Sequence, residues 1–103
     1  LLMPSRIEPC GLNQMYALRY GTIPIVRSVG GLKDTVTDIG EGGFGICHVL
    51  ASVQDVCASI ERAVALFENK DQFLKTREKC MMIDHSWDKS AQEYLTLYKS
   101  LTP

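Results

Sequence analysis

A chain of 103 residues has room for one small domain. Its formal net charge of −1, with lysine and arginine scattered rather than clustered, gives no electrostatic reason to expect nucleic acid or an anionic membrane as partner. The composition is that of an ordinary globular protein, 46% hydrophobic and 22% charged, and no apolar run approaches the roughly 20 residues that a membrane-crossing helix needs.

Residues 1–4 read as the tail of a strand, with no basic region and too little length for a signal peptide, so the natural protein is expected to begin upstream. A loop over 5–10 leads into a short helix over 11–20, with Gly21 placed as its closing glycine. Leu12, Met15, Tyr16, Ala17, Leu18 and Tyr20 make that helix apolar on nearly every side, as for one packed inside a larger body. Residues 22–26 are a short β-branched run without alternation, the pattern of a parallel strand buried on both faces, with Pro24 near its start or at an edge. Strand, helix, strand is a βαβ unit. A glycine-bearing loop over 28–36, a turn at Gly40 to Gly43 and a second strand over 44–48 complete the first half.

Residues 51–103 carry helical periodicity almost throughout. Ser52 and Asp55 have capping-box spacing, with Asp in place of the usual Glu or Gln. Beyond them Val53, Val56, Ile60, Val64 and Phe67 fall at steps of three and four, predicting an inward stripe on a helix of about 16 residues. A helix over 71–82 places Phe73, Leu74, Arg77 and Met81 on one side. The last, over 86–101, carries Trp87, Ala91, Tyr94, Tyr98 and Leu101. That aromatic stripe is expected to pack on another domain rather than to form a carbohydrate platform. In this chain alone it should self-associate or fold back on the helix that begins at Val53.

Two loops carry the chemistry. The first, from Pro4 to Gln14, is a strand end, a carboxylate at Glu8, and a helix start opened by Gly11. Free N–H groups there suit an anion, and ligands of open α/β sheets sit at the carboxyl ends of strands. A carboxylate repels phosphate but accepts hydrogen bonds from sugar hydroxyls beside it, which makes the combination a weak mark of a nucleotide sugar. The alternative is a structural pair of Glu8 with Arg6. In the second loop Gly30 and Gly31 permit close backbone approach to a ligand and positive φ. Neither loop is a G-x-G-x-x-G fingerprint or a Walker A motif. Cys10 at a helix start has the position of an activated thiol, yet no histidine is near it in sequence. His48 and His85 are expected at the surface or at a helix start, and Cys47, Cys57 and Cys80 as buried small apolar residues. With no C-x-x-C pair and no secretory context, all four cysteines are expected to be free thiols in a reducing compartment.

The run from Pro4 through Ser5-Arg6-Ile7-Glu8-Pro9-Cys10-Gly11-Leu12-Asn13-Gln14-Met15-Tyr16-Ala17-Leu18-Arg19-Tyr20-Gly21 to Val26 closely resembles a signature of bacterial glycogen synthases and plant starch synthases. Gly30-Gly31-Leu32-Lys33-Asp34-Thr35-Val36 follows at the family's spacing, and Ser86-Trp87-Asp88-Lys89-Ser90-Ala91 is similar to the start of its last helix. The resemblance implies an α/β fold, the C-terminal part of a Rossmann-like GT-B donor domain: a few short parallel strands, then three helices. Residues 1–50 would supply the sheet and donor-site loops, and 51–103 the helices, the last crossing to an N-terminal domain.

By that resemblance Glu8 would touch the donor glucose, and Cys10, Gly11 and Leu12 would offer backbone N–H groups to its hydroxyls and the distal phosphate. Asn13 stands where relatives often carry Thr and keeps only the backbone role; Gly30 and Gly31 complete the donor-binding set. Many related retaining glycosyltransferases have a second glutamate where this chain has Tyr16, which places it on the synthase branch. The implied reaction moves glucose from ADP-glucose or UDP-glucose to the non-reducing end of an α-1,4-glucan with retention. No cofactor and no metal are expected. The phosphate-binding lysine and arginine and the acceptor site are expected in the upstream part, so this piece alone should be inactive. The implied compartment is the bacterial cytoplasm or, second, the plastid stroma. Two rivals stand beside this reading. One is a non-catalytic nucleotide-sugar or glucan-binding module. The other is a different GT-B enzyme, such as a sucrose or trehalose-phosphate synthase, against which Tyr16 and the wording Glu8-Pro9-Cys10-Gly11-Leu12 argue.

Overall fold

Three short parallel strands, β1 (Leu2–Met3), β2 (Ile25–Arg27) and β3 (Ile46–His48), pair in that order in the computed structural model, which describes residues 1–103. The register sets Met3 against Val26, Val26 against Cys47 and Arg27 against His48. Parallel neighbours need a crossover. The first is α1 (Asn13–Arg19); the second is α2 (Gly30–Thr35) with a 3-10 turn at Ile39–Glu41. Then follow α3 (Val53–Glu68), α4 (Lys70–Met82) and α5 (Trp87–Ser100). The core gathers Leu18, Val26, Leu32, Val36, Phe44 and Cys80, one or two from each layer. Burial pushes the Cys80 thiol up to about 11, so it serves as a small apolar side chain.

Both strands after β1 are shorter than their sequence patterns. Pro24 is fully buried and precedes β2; its carbonyl accepts from Ile46 N–H at 2.9 Å, a bond that needs no proline donor. Phe44 and Gly45 both donate to Thr37 O, so the chain is still turning there and the ladder of β3 starts at Ile46. α1 also starts late, because Gly11 takes φ +70°, outside the helical region. Its end is a Schellman motif: Thr22 N–H donates to Ala17 O and Gly21 N–H to Leu18 O, with Gly21 at φ +70°. Within this chain α1 buries only Gln14 and Leu18 and leaves Tyr16 and Tyr20 exposed.

The predicted loop over 28–36 is in fact largely helix, and its glycines serve the chain's own backbone. Gly30 sits at φ +51°, and a Cβ there would lie 1.9 Å from Glu8 O; one on Gly31 would lie 1.6 Å from Cys10 O. Gly31 N–H donates to Glu8 O at 3.0 Å. The first turn of α2 is thus pressed backbone to backbone against the loop after β1.

α3 has the expected cap, with Ser52 Oγ accepting from Asp55 N–H at 3.1 Å, while the Asp55 carboxylate reaches back to Leu50 N–H. Its buried face differs from the predicted stripe. Ser59 and Leu66 are buried and Val56 and Ala63 half-buried against β2 and β3, whereas Val53, Ile60, Val64 and Phe67 remain exposed. The helix is apolar on two sides, and the sheet takes the side whose small Ser59 and Ala63 permit close approach. α4 is rotated by about one residue in the same sense: Phe73, Thr76 and Cys80 face inward while Leu74 and Met81 stay half-exposed. Arg77 donates to Gly21 O at 2.8 Å, and Lys79 to Gly42 O, so α4 holds two turns of the first half. Phe67 and Phe73 meet edge to face at 5.1 Å, joining α3 to α4.

α5 does not fold back on α3. It is capped by Ser86, buries no residue, and leaves Trp87 87% exposed with Tyr94 and Tyr98 beside each other on an open face. Cys57 is exposed rather than buried, because it lies on the outer side of α3; all four thiols are free. His48 is buried at the end of β3, not at the surface, because the strand pairing and α3 enclose it.

Asp38 binds three elements. Oδ2 accepts from Gly40 N–H and Oδ1 from Cys47 N–H, both at 2.8 Å, and both oxygens take the Arg62 guanidinium of α3 at 2.7 and 3.0 Å. Burial alone would raise this carboxyl, but the Arg62 hydrogen bonds, the two N–H groups and the Arg62 charge outweigh it and hold the group below its ordinary value. A depressed folded-state value means that the contribution is complete above the unfolded value of about 3.9 and is lost as pH falls through the lower folded one. Asp38→Ala should cost roughly 2 kcal/mol, mostly through orphaned N–H groups because the Arg62 pair is partly solvent-screened, and should flatten the urea stability curve below about pH 4. An unchanged acid limb would show that the knot carries no stability.

The glycine packing gives a second test. Gly31→Ala should cost roughly 3 kcal/mol, since its Cβ collides with backbone. Gly42→Ala, at φ +77° with nothing within 4 Å, should cost only the left-handed strain of about 1–2 kcal/mol. Equal losses in urea denaturation would contradict the close approach.

Candidate functional site

Because the three strands are parallel, their carboxyl ends share one edge, the place where open α/β sheets bind ligands. The loop from Pro4 to Leu12, the start of α2 and the segment His48 to Leu50 meet there. Arg27, the last residue of β2, fastens them: Nη1 donates to Arg6 O at 2.8 Å and Ser5 O at 3.3 Å, and Nε to Val49 O at 2.9 Å. One planar guanidinium therefore spans all three strand ends. No local pattern marks it, since each of its acceptors lies 21 or 22 residues away.

Glu8 is half-buried, with Oε2 accepting from Ser5 Oγ at 3.1 Å and its backbone carbonyl from Gly31. Oε1 has no partner in the chain. Arg6 does not pair with it; the ion pair of this chain is Asp38 with Arg62. The carboxylate is thus oriented by a hydroxyl and left free to accept more hydrogen bonds. Beyond it the N–H groups of Gly11, Leu12 and Asn13 find no acceptor within the chain, and α1 has neither a side-chain cap nor an acidic first turn. An uncapped turn of this kind offers unshielded donors to an incoming anion. The carboxylate and the open N–H groups lie on the same short loop, so the structure brings Glu8, Cys10, Gly11, Leu12 and Asn13 together. Gly30 and Gly31 stand behind them, with the Gly31 N–H already committed to Glu8.

Gln14 is the residue that sequence reasoning missed. Fully buried, it donates from Nε2 to Gly11 O at 2.7 Å and Thr35 Oγ1 at 3.0 Å, with Cys10 O at 3.3 Å. Its one sequence signal is a polar side chain in line with Leu18 on the inward face of α1. Tyr16 lies exposed on the opposite side, on a cleft of about 650 Å³ with Arg19, Met81 and Ile83. Cys10 is exposed. His48 Nδ1 lies 3.0 Å from Leu50 O, while its buried Nε2 has no partner; His85 is exposed. A separate hollow of about 360 Å³, lined by Thr22, Ile23, Ala63, Leu66 and Phe73, opens toward the amino ends of the strands. Its lining is mostly apolar, and the one charged group in it, Arg77, donates to Gly21 O.

No family model matches the chain. It is 60% identical over 98 residues to the glycogen synthase of Flavobacterium johnsoniae, covering 95% of this chain and 21% of that protein. To the glycogen synthase of Aquifex aeolicus it is 46% identical over 101 residues, covering 98% of this chain and 22% of the relative. Among solved structures it is similar to the catalytic domain of starch synthase IV from Arabidopsis thaliana bound to ADP and acarbose, with a TM-score of 0.85 and 40% identity over 96% of this chain and 22% of that one. The likeness bears out the α/β fold of short parallel strands followed by helices that the signature implied. The chain spans about a fifth of the length of the relatives it matches. Over nearly all of its own 103 residues, this chain is a homologue of the glycogen and starch synthases.

Proposed function

We propose that the protein of which this chain is a part transfers glucose from ADP-glucose or UDP-glucose to the non-reducing end of an α-1,4-glucan, with retention at the anomeric carbon. The observation that carries the reading is the free carboxylate oxygen of Glu8 on the same loop as the unpaired N–H groups of Gly11, Leu12 and Asn13. The first suits sugar hydroxyls and a developing oxocarbenium ion; the others suit the leaving diphosphate. The ADP bound by the starch synthase relative supports an adenine-nucleotide donor. Residues 1–50 act as the donor half-site, with Cys10 contributing backbone and Gly30 and Gly31 backing the loop. The acceptor site belongs to an N-terminal domain, onto which α5 crosses, and the cationic phosphate ligands lie in the part upstream of this chain. No metal is required, because positive side chains neutralise the diphosphate. Free thiols suit a reducing compartment, and the bacterial relatives favour the cytoplasm over the plastid stroma. No helix is long and apolar enough to cross a membrane.

In the full-length protein, Glu8→Ala should lower kcat on the order of 10²-fold with the fold retained, while the 103-residue chain extends no glucan because half of the cleft is absent. Radiolabelled glucose incorporation measures both, and near-normal turnover of the variant would reduce Glu8 to a structural role. In the isolated chain the open face of α5 favours association. Sedimentation at rising concentration should show self-association that Trp87→Ser/Tyr98→Ser abolishes; a monodisperse parent chain would end that idea.

A further inference from the structure

We infer that Gln14 is a positioning residue for the donor site, acting with Thr35 as a lock that aims the N–H groups of Gly11 and Leu12 outward. This rests on the function proposed above and adds to it what holds the loop in register. The hydrogen-bond directions form a consistent chain. Thr35 Oγ1 donates to Gly31 O at 2.6 Å, so it accepts from Gln14 Nε2 at 3.0 Å. The other Nε2 proton goes to Gly11 O at 2.7 Å, with Cys10 O at 3.3 Å as a shared acceptor. Turning the amide over would set its oxygen against two carbonyl oxygens, so the network fixes its orientation.

A trans peptide is planar, with the C=O of one residue opposed to the N–H of the next, and the chain has no cis bond. Holding Cys10 O and Gly11 O inward therefore points the N–H groups of Gly11 and Leu12 the other way. Those are two of the open N–H groups at the candidate site. Glu8 O, the remaining inward carbonyl, is held by Gly31 N–H, and the residue after it is Pro9, which has no N–H to aim. Gly11 sits at φ +70°, the left-handed region that favours glycine, and a Cβ there would lie 2.7 Å from Gln14 Oε1 and push that side chain aside.

The side chain is a poor choice for stability alone. Gln14 is completely buried and its Oε1 has no hydrogen-bond partner, a costly arrangement. An apolar residue of equal length would fill the space without stranding an oxygen. What it would not do is hold two carbonyls and a hydroxyl at once, which is the positioning task.

The test uses the full-length protein with Gln14→Met, which keeps length and bulk, and Thr35→Val, which keeps shape and removes the hydroxyl. Titration with ADP and with UDP gives diphosphate affinity, and steady-state kinetics gives kcat and the donor KM. Both variants should weaken diphosphate binding and lower kcat roughly 10–100-fold while the folded signal persists, as expected when reacting groups are misplaced by a fraction of an ångström. Thr35→Ser should restore both. A merely structural role would lower the melting temperature and leave the affinity of the folded protein unchanged. Folded Gln14→Met with affinity and kcat within about two-fold of the parent would overturn the lock. Should Gln14→Met fail to fold, Thr35→Val decides by the same readouts. A parent protein that binds no nucleoside diphosphate sinks the functional reading; one that binds it and is indifferent to both variants sinks only the lock.

Discussion

The contact between the first turn of α2 and the loop after β1 is made by backbone alone, and the geometry of the strand ends depends on it. Atoms of Glu8 and Cys10 occupy the space where side chains of residues 30 and 31 would stand. Such an approach lets the Gly31 N–H reach Glu8 O, brings Thr35 within reach of Gln14, and leaves the Glu8 carboxylate on the outer side of the loop. Arg27 completes the arrangement from the other side, with three carbonyls satisfied by one rigid cation. The loop carries no regular structure of its own, yet its inward carbonyls are bound and its outward N–H groups are not. That division leaves unpaired donors along one edge while the acceptors of the loop are committed.

A second theme is surface left uncovered. α3 shows the sheet its small side chains and keeps Val53, Ile60, Val64 and Phe67 outside; α1 leaves Tyr16 and Tyr20 outside; α5 buries nothing. Eighteen of 103 residues are buried, too few to account for 46% hydrophobic composition. The excess apolar surface is in keeping with a chain that spans about a fifth of its relatives, where neighbouring segments have somewhere to pack.

Local chemistry made much of the fold legible. Ser52, Ser86 and Gly21 mark helix ends by their own hydrogen-bonding capacity or conformational freedom, and each does in the structure what its residue type allows. The β-branched run before Arg27 became the central parallel strand. Which face a helix buries was not legible in the same way. Bulk drew the eye to Val64 and Phe67, but proximity to a sheet selects Ser59 and Ala63, and that choice belongs to the partner surface rather than to the helix. At the site, Glu8 and Gly11 could be read from a strand end followed by a helix start. Gln14 and Arg27 could not, because their acceptors include carbonyls and a hydroxyl 21 or 22 residues distant, and any polar side chain makes the same mark in a sequence. The paired glycines were read as facing a ligand, when a neighbouring backbone makes the same demand for absent side chains.

The bond from Arg77 to Gly21 bears on the order in which the chain assembles. It closes a separation of 56 residues, and Cys80 reaches Phe44 O across another 36. Contacts of such span bring their reward only after most of the intervening chain has been confined. The turn that ends α1 and leads into β2 is therefore secured by a helix that leaves the ribosome more than fifty residues later. Until α4 docks, the crossover and the loop after β1 are held by bonds that span at most 23 residues, so the turn at Gly21 is among the later parts of this chain to become rigid during synthesis.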